Sequence, residues 1–535
     1  MTSKTDASPH PPSIPPTMAA VVYTRHGEPS DVLSLAAAVP TPTLPPPPSG
    51  LSTPPAPVVA HVDTPPTLLL RVAAVALNPV DGKRCRGTAA LPFPRWPAAP
   101  DIPAFDVAGQ VVASTDADPA LGVGAWVAGM VPAGGALAEY VAVPGRCVAP
   151  IPPGVSAVTA AAVPLAGLTA LQVLRRLGVV FPQGEVGGKG GAGGGGIGSG
   201  GSGDSCGGGG GVGEADGDGH GDTPGDGVPP PASMLLHGGV GGVGSFAVQL
   251  AARVGRVPRV VVSVSAAKAG LATRLGATHT VPAGAAAAVA AAVTASPPPG
   301  DAVGVGGGGP VDAAADFVGD GVPGLFGALD GGGGGGGGNG GRRSAHRPIT
   351  RRRPRQVCIL GPSSAASAAH WFPWGSPPPG MGPYLAVRAA PTTLRAWAAG
   401  VDWAPHVVAS DGAAVGRLLR WIAAGAVEVV LAAVVDGLAA WREALAVVEG
   451  GHAAGNVVIR VWGGDEGTGG GGVKGPHPTG GPGGGGGGGG GGVARDAGRK
   501  KAGGAAPPTT VPQRARGWWP LVRGRGSAIS SPCIR

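Results

Sequence analysis

The sequence predicts an α/β protein, a β-rich part followed by a doubly wound parallel sheet, interrupted by long disordered Gly/Pro-rich insertions. Three observations carry this. The apolar run Met234, Leu235, Leu236 is followed by a glycine cluster, an amphipathic segment (Val243, Phe246, Ala247, Leu250, Ala251, Val254) and a second apolar run over 257–264, the layout of a βαβ unit. Short apolar runs at close spacing precede it, at 19–23, 68–77, 102–112 and 125–131, with glycines 122, 124, 129, 134 and 135 as turns. Glycine (105) and proline (60) make up 165 of 535 residues but concentrate in 1–17, 40–66, 182–231, 297–310, 331–355 and 463–516. About 330 residues of ordinary globular character are left, enough for two cores.

Taken in order, the run at 19–23 reads as a first strand ending in a turn around His26, Gly27 and Glu28. The proline-rich stretch 40–66 reads as an extended surface loop, after which 68–77 returns as a strand of nearly unbroken apolar character. Residues 158–178 predict a helical segment interrupted at Pro164 and Gly167. Beyond the βαβ unit, 271–275 is a helix end closed by Gly276, 278–281 a short strand, and 311–318 and 356–360 later strands of the same sheet, with 322–329 only hinting at a helix. The last ordered stretch gives a helical face from Val415, Leu418, Leu419 and Ile422, a strand at 427–435, an amphipathic helix at 437–449 and a strand at 457–461.

Gly238, Gly241 and Gly244 stand three apart between strand and helix, with Gly239 and Gly242 among them. Such a turn brings unpaired backbone N–H groups and the positive end of a helix against a pyrophosphate. In a chain this rich in glycine the spacing alone says little, and the flanking strand and glycine-free helix decide for a dinucleotide site. After the second strand the carboxylate that would hold a ribose 2′-hydroxyl is missing. Ser263, Val264, Ser265, Ala266, Ala267 and Lys268 stand there instead, and hydroxyls with a cation suit a 2′-phosphate and hence NADPH. Lys268 reads equally as a solvated lysine at a helix start.

The net charge of +8 is local: seven arginines lie between 342 and 355, and the segment from Gly463 carries ten basic against three acidic residues. The remainder is acidic, so no nucleic-acid partner is expected, and aromatic residues do not interleave with the arginines. Cysteines 85, 147, 206, 358 and 533 form no C-x-x-C pair, which predicts neither a disulfide framework nor a cysteine zinc site. No apolar run reaches the roughly 18 residues of a membrane span, and the N-terminal stretch lacks the apolar core of a secretory signal.

Six blocks in one order now carry a family resemblance: VAAVALNPVDGKRCRG (72–87), DIPAFDVAGQVV (101–112), GGALAEYVAVP (134–144), AAVPLAGLTALQVL (161–174), LLHGGVGGVGSFAVQLA (235–251) and VEGGHAAGNVVIRV (448–461). The chain resembles the medium-chain dehydrogenase/reductases, quinone oxidoreductase branch, and within it the chloroplast envelope members. The resemblance implies a GroES-like β-rich catalytic domain (19–160, completed by 401–462), a Rossmann NADP-binding domain (161–400), a disordered leader (1–18) and a disordered basic tail (463–535). It implies that Asn78 and Asp81 line the substrate side of a cleft and that Thr169 faces the nicotinamide. Gly241, Gly242, Val243 and Gly244 would hold the pyrophosphate, and Ser265 with Lys268 the adenosine phosphate.

The implied cofactor is NADPH without zinc. Zinc-dependent relatives place a cysteine where this chain has Asn78-Pro79-Val80, and their four-cysteine loop is absent. The implied reaction is reduction of a quinone or of the C=C bond of an α,β-unsaturated carbonyl, small molecules whose own carbonyl accepts the developing charge. Asn78 is the candidate hydrogen-bond donor to that oxygen, and otherwise a turn residue before Pro79. Asp81 reads as a structural cap more than an acid, and His237 as a strand-end core residue. Trp371, Phe372 and Trp374 would wall an apolar pocket or cover a sheet edge. A homodimer, a peripheral membrane contact through Trp518 and Trp519, and a chloroplast rather than cytoplasmic location are further expectations. A catalytically weak NADPH-binding scaffold or membrane-surface protein of the same fold is the competing one. Three departures from the family pattern stand out: Gly124-Ala125 for Gly-Asp, Asn456 for the lysine of the closing Gly-Lys-Val-Val, and LGATHTVPAG without its Asp-Tyr.

Overall fold

The computed structural model describes residues 14–44, 67–87, 100–182, 230–295, 309–318, 322–329, 353–359 and 381–462. The bulk of the segments expected to be disordered, and Trp371, Phe372, Trp374, Trp518 and Trp519, lie outside the described residues.

Strand β3, Thr67–Leu77, explains why its sequence is apolar without alternation. Leu68, Leu70, Val72, Val75 and Leu77 face one core, while Ala73, Ala74 and Ala76 join the other, so both faces are buried. It pairs antiparallel with β4 (Asp106–Ser114), which continues to β5 (Trp126–Met130) and β7 (Val148–Pro150), while β6 (Tyr140–Pro144) also pairs with β3. On its other side β3 takes β15 (Asn456–Arg460) and then β14 (Leu431–Asp436), which closes a seven-stranded sheet from both ends of the chain. Strands β1 (Thr17–Val22) and β2 (Ser34–Pro40) form a separate hairpin, so the first strand among the described residues starts inside the expected leader, at Thr17.

The second sheet is parallel throughout, in the order β10-β9-β8-β11-β12-β13. Its strands are β8 (Ser233–His237), β9 (Arg259–Val264), β10 (His279–Pro282), β11 (Ala313–Asp316), β12 (Arg355–Cys358) and β13 (Asp402–Pro405). The order reverses between β8 and β11, the switch point at whose carboxyl edge open α/β sheets bind ligands. The glycine cluster leaves β8 there, and helix Gly242–Gln249 runs on through a π-helical stretch, Leu250–Val254.

Several sequence boundaries move. Strand β13 belongs to the parallel sheet although it lies beyond residue 400, because Asp402–Pro405 pairs in register with Arg355–Cys358. Arg355, assigned to an insertion, opens β12. The break expected at Pro164 is present, helix Ala157–Ala161 ending just before it, and Pro164 opens the next helix, Pro164–Arg176, at a first-turn position where its missing N–H costs nothing. Gly167 stays helical within it, since a Cβ there would lie 3.0 Å from Leu418 Cδ1 of the neighbouring helix Gly412–Ala423. The 18-residue helix Met381–Ala398 has no counterpart in the sequence reading, because Pro383 and Pro391 break its pattern. Among the described residues no helix is long and apolar enough to cross a membrane.

Helix Trp441–Glu449 pins β14 and β15 to the antiparallel sheet through Trp441, which is 1 % exposed, and through an ion pair between Glu449 and Arg86. Trp441→Ala is expected to lower unfolding stability by about 3–5 kcal/mol in denaturant titration; a loss below about 1 kcal/mol would mean that the return strands are held by other contacts.

Candidate active site

The turn after β8 requires its glycines for different reasons. Gly238 and Gly239 take φ of +99° and +47°, conformations that side chains disfavour. A Cβ at Gly239 would lie 2.6 Å from the Ser263 carbonyl oxygen, and one at Gly244 only 2.1 Å from the Gly239 carbonyl oxygen, so the helix starts in contact with its own turn. Beside Gly241 the space is open, its imagined Cβ meeting nothing nearer than 3.9 Å. The N–H groups of Gly242, Val243 and Gly244 occupy the first helical turn and have no acceptor within the helix. They form an anion-accepting end at the switch point, on a helix whose first residues are half-buried and not sealed. Behind the turn His237 is buried, its Nδ1 2.8 Å from Ser263 Oγ, and the Gly238 N–H donates to the same hydroxyl at 3.3 Å. This pair braces the turn from the core side.

Asn78 and Asp81 sit together at the start of helix Pro79–Arg86, at the end of β3. Asp81 accepts the Asn78 backbone N–H at 2.7 Å, which makes it a cap. The Asn78 side chain is committed as well: Nδ2 donates to Asp106 Oδ2 at 2.9 Å, and Asp106 Oδ1 accepts the Leu165 backbone N–H at 2.7 Å. Asp106 is therefore a fully buried joint between β4, the 79–86 helix and the first turn of the 164–176 helix. Burial pushes its carboxyl well above the ordinary value of 3.8, and the bonds from Asn78 and Leu165 only partly oppose that. Asp81 is pushed up to about 7 by the same loss of solvent, against the pull of the Asn78 N–H and Arg84. Thr169, in the second turn of that helix, is buried and donates its hydroxyl to the Leu165 carbonyl at 2.6 Å.

A contiguous path thus runs from one sheet to the other. Ala166, next to Leu165, approaches the position a Gly242 Cβ would take to 3.9 Å, so the helix that holds Asp106 also abuts the glycine turn. Ser265 caps helix Ala266–Leu275 from an exposed position, with no side-chain bond to the helix end. Lys268 Nζ donates to the Ala453 carbonyl at 3.2 Å and so faces the 450–455 loop that precedes β15. Ser265 and Lys268 lie just past β9, next to β8 in the sheet, on the side of the turn expected for the adenosine end.

Two residues escaped the sequence reading. Asp106 was legible, as a lone carboxylate inside the apolar run of β4. Asn456 was noted only as a departure, yet its side chain lies over the glycine turn, Oδ1 being 2.7 Å from where a Gly242 Cβ would stand. The clefts beside Trp397 and Trp403 and beside Ile102 and Tyr140 are lined by none of the predicted site residues. Among the described residues, no three His, Cys, Asp or Glu side chains gather as a metal site would require.

The raised Asp81 has a sign that can be measured. The folded chain keeps a proton between the ordinary value of 3.8 and about 7 that the unfolded chain has released. The stability this group contributes is complete below that window and declines as pH rises through it. Asp81→Asn, which keeps an acceptor for the Asn78 N–H, should flatten the slope in denaturant unfolding; the wild-type slope persisting in the variant would refute the assignment.

The comparisons with known proteins agree with this architecture. Residues 64–153 match the alcohol dehydrogenase GroES-like domain. The chain is 41 % identical over 109 residues to a chloroplastic quinone-oxidoreductase homologue of Spinacia oleracea, covering 20 % of this chain and 32 % of that protein. It is 31 % identical over 219 residues to the 2-methylene-furan-3-one reductase of Solanum lycopersicum, covering 39 % of this chain and 43 % of the relative. The matches therefore span about a third to under half of these relatives' lengths. In fold, the chain is similar to the quinone oxidoreductase from Coxiella burnetii, with a TM-score of 0.52 at 18 % identity, covering 83 % of this chain and 99 % of that one. A mycobacterial protein crystallised with NADPH gives a TM-score of 0.50 at 21 % identity, over 83 % and 100 % of the two chains. The GroES-like match over 64–153, the partial matches to chloroplast quinone-oxidoreductase homologues and the shared two-sheet fold make the chain similar to the quinone oxidoreductases of the medium-chain dehydrogenase/reductase family.

Proposed function

We propose that the chain is an NADPH-dependent, zinc-independent oxidoreductase that reduces quinones or the C=C bond of α,β-unsaturated carbonyls. The observation that carries this reading is the turn at 238–244: glycines forced by backbone contact, followed by a helix start whose N–H groups have no acceptor within the helix, at the switch point of a parallel sheet. These residues fit a dinucleotide diphosphate, and Ser265 with Lys268 fit a 2′-phosphate. When bound, the nicotinamide supplies a hydride to the acceptor.

The chain's own residues hold and orient. Asn78 Nδ2 carries two hydrogens and gives one to Asp106, which fixes the carboxamide and leaves its second N–H as the donor for an acceptor oxygen. Thr169 and the 164–176 helix form the floor between the glycine turn and that corner. The corner's chemistry supports zinc independence, since it offers a carboxamide tied to a buried carboxylate in place of a thiolate. The relatives support the substrate class: one is named a quinone-oxidoreductase homologue, another a methylene-furanone reductase. We extend to this chain the chloroplast location that the plant homologues' names carry.

The test follows the loss of NADPH absorbance with a short enone and a naphthoquinone, NADH being the control. Turnover with a clear preference for NADPH is expected, and Lys268→Ala should cut that preference by about tenfold, the worth of one charge-assisted hydrogen bond. Tight NADPH binding without turnover across such a panel would favour a scaffold that kept the fold, and equal use of NADH would remove the 2′-phosphate reading.

A further inference from the structure

Between strand β13 and helix Gly412–Ala423 the chain crosses from the parallel sheet toward the antiparallel one, and it does so along helix Pro164–Arg176. Each step of the crossing is bonded. The His406 N–H donates to the Cys358 carbonyl at 2.7 Å, which carries the pairing of β13 with β12 one residue further. Arg176 Nη1 donates to the Pro405 carbonyl at 3.2 Å, and the Gln172 side chain bonds both the Ala409 carbonyl and the Ala409 N–H, at 2.8 and 2.9 Å. Ser410 Oγ then donates to the Met130 carbonyl at the end of β5, at 2.8 Å.

One side chain in this crossing is left unanswered. His406 is 2 % exposed, and both its ring nitrogens are shielded from solvent with no hydrogen-bond partner among the described residues. A neutral imidazole carries one donor and one acceptor, whereas a protonated one would bring two unmatched donors and a buried charge. The charged group that acts on it is Arg176, from the helix alongside, and its sign is the wrong one. The other titratable groups at this edge of the sheet, Cys358 and Asp316, are bonded to each other, Sγ to Oδ2 at 3.4 Å. Loss of solvent, and after it Arg176, hold the ring from its ordinary 6.5 down to about 3. A leucine or phenylalanine would fill this place without an unmatched polar atom, so what the imidazole adds is titration.

We infer that His406 makes the crossing between the two sheets acid-sensitive: a proton taken up by its imidazole releases 405–410 from helix 164–176. The sign follows from burial. The folded chain keeps the ring neutral while the unfolded chain protonates it near 6.5, so the stability is complete above that value and is lost as pH falls from 6.5 toward about 3. Asp81 acts with the opposite sign over an overlapping window, and comparison with a variant at 406 cancels it. The inference is independent of the NADPH reading.

The experiment measures denaturant unfolding of the full chain at pH 7 and pH 5, beside His406→Phe and His406→Leu, neither of which ionises at this position. The ratio of the wild-type unfolding constant to that of either variant should be about twentyfold higher at pH 5 than at pH 7, the linkage of one imidazole that is neutral only when folded. A ratio that does not move with pH overturns the inference. Amide exchange of the wild type, corrected for its intrinsic pH dependence, tests the release even where a variant does not fold. Peptides spanning 402–411 should open about twentyfold more at pH 5 than at pH 7 while β3 keeps its protection. Equal loosening of both, or of neither, overturns it.

Discussion

Backbone-to-backbone contact at the glycine turn is the constraint on which the rest depends. Gly244 must approach the Gly239 carbonyl more closely than any side chain permits, and only then does helix Gly242–Gln249 start directly behind β8. From that start follow the outward N–H groups, the packing of the helix against the core, and the approach of Gly455 to Val240. A methyl group at position 244 would push the helix away from its strand and the closing strand away from both. The low-complexity character of the chain elsewhere does not weaken this, because here each glycine answers to a specific neighbour.

Two devices join the sheets, and they differ in chemistry. At the Asn78 corner the joint is a buried carboxylate: Asp106 takes one bond from Asn78 and one from Leu165, so the 79–86 and 164–176 helices share an acceptor. A charge desolvated in this way is costly unless its bonds are kept, which ties the orientation of Asn78 to the packing of the helix start. At the glycine turn the joint is backbone, the Gly241–Gly455 bridge, reinforced where Lys268 donates to Ala453. The first device sets where a side chain points; the second sets where a strand ends. Neither is a hydrophobic contact, although the apolar cores beneath supply the bulk of the cohesion.

What the sequence made legible was whatever has a period or a spacing. The βαβ unit, the apolar β3, the glycine turn and the family blocks were all visible, since burial on two faces and forced glycines leave a pattern in the chain. The 381–398 helix was hidden by its prolines, and Gly167 read as a break because the helix that packs against it is some 250 residues away. In the site, the capping role of Asp81 was readable from its three-residue spacing to Asn78. The partners of Asn78 were not, because Asp106 and Leu165 come from distant strand and helix starts. Asn456 shows the limit from the other side: its departure from the family lysine was plain, but only the bridge beside it gives that departure a place.

Amide hydrogen–deuterium exchange of the full chain with and without NADPH tests the account at its centre. Slower exchange at peptides covering 238–244, and at 450–456 through the bridge between Gly241 and Gly455, is the predicted result. NADPH that binds while leaving 238–244 unprotected would contradict it.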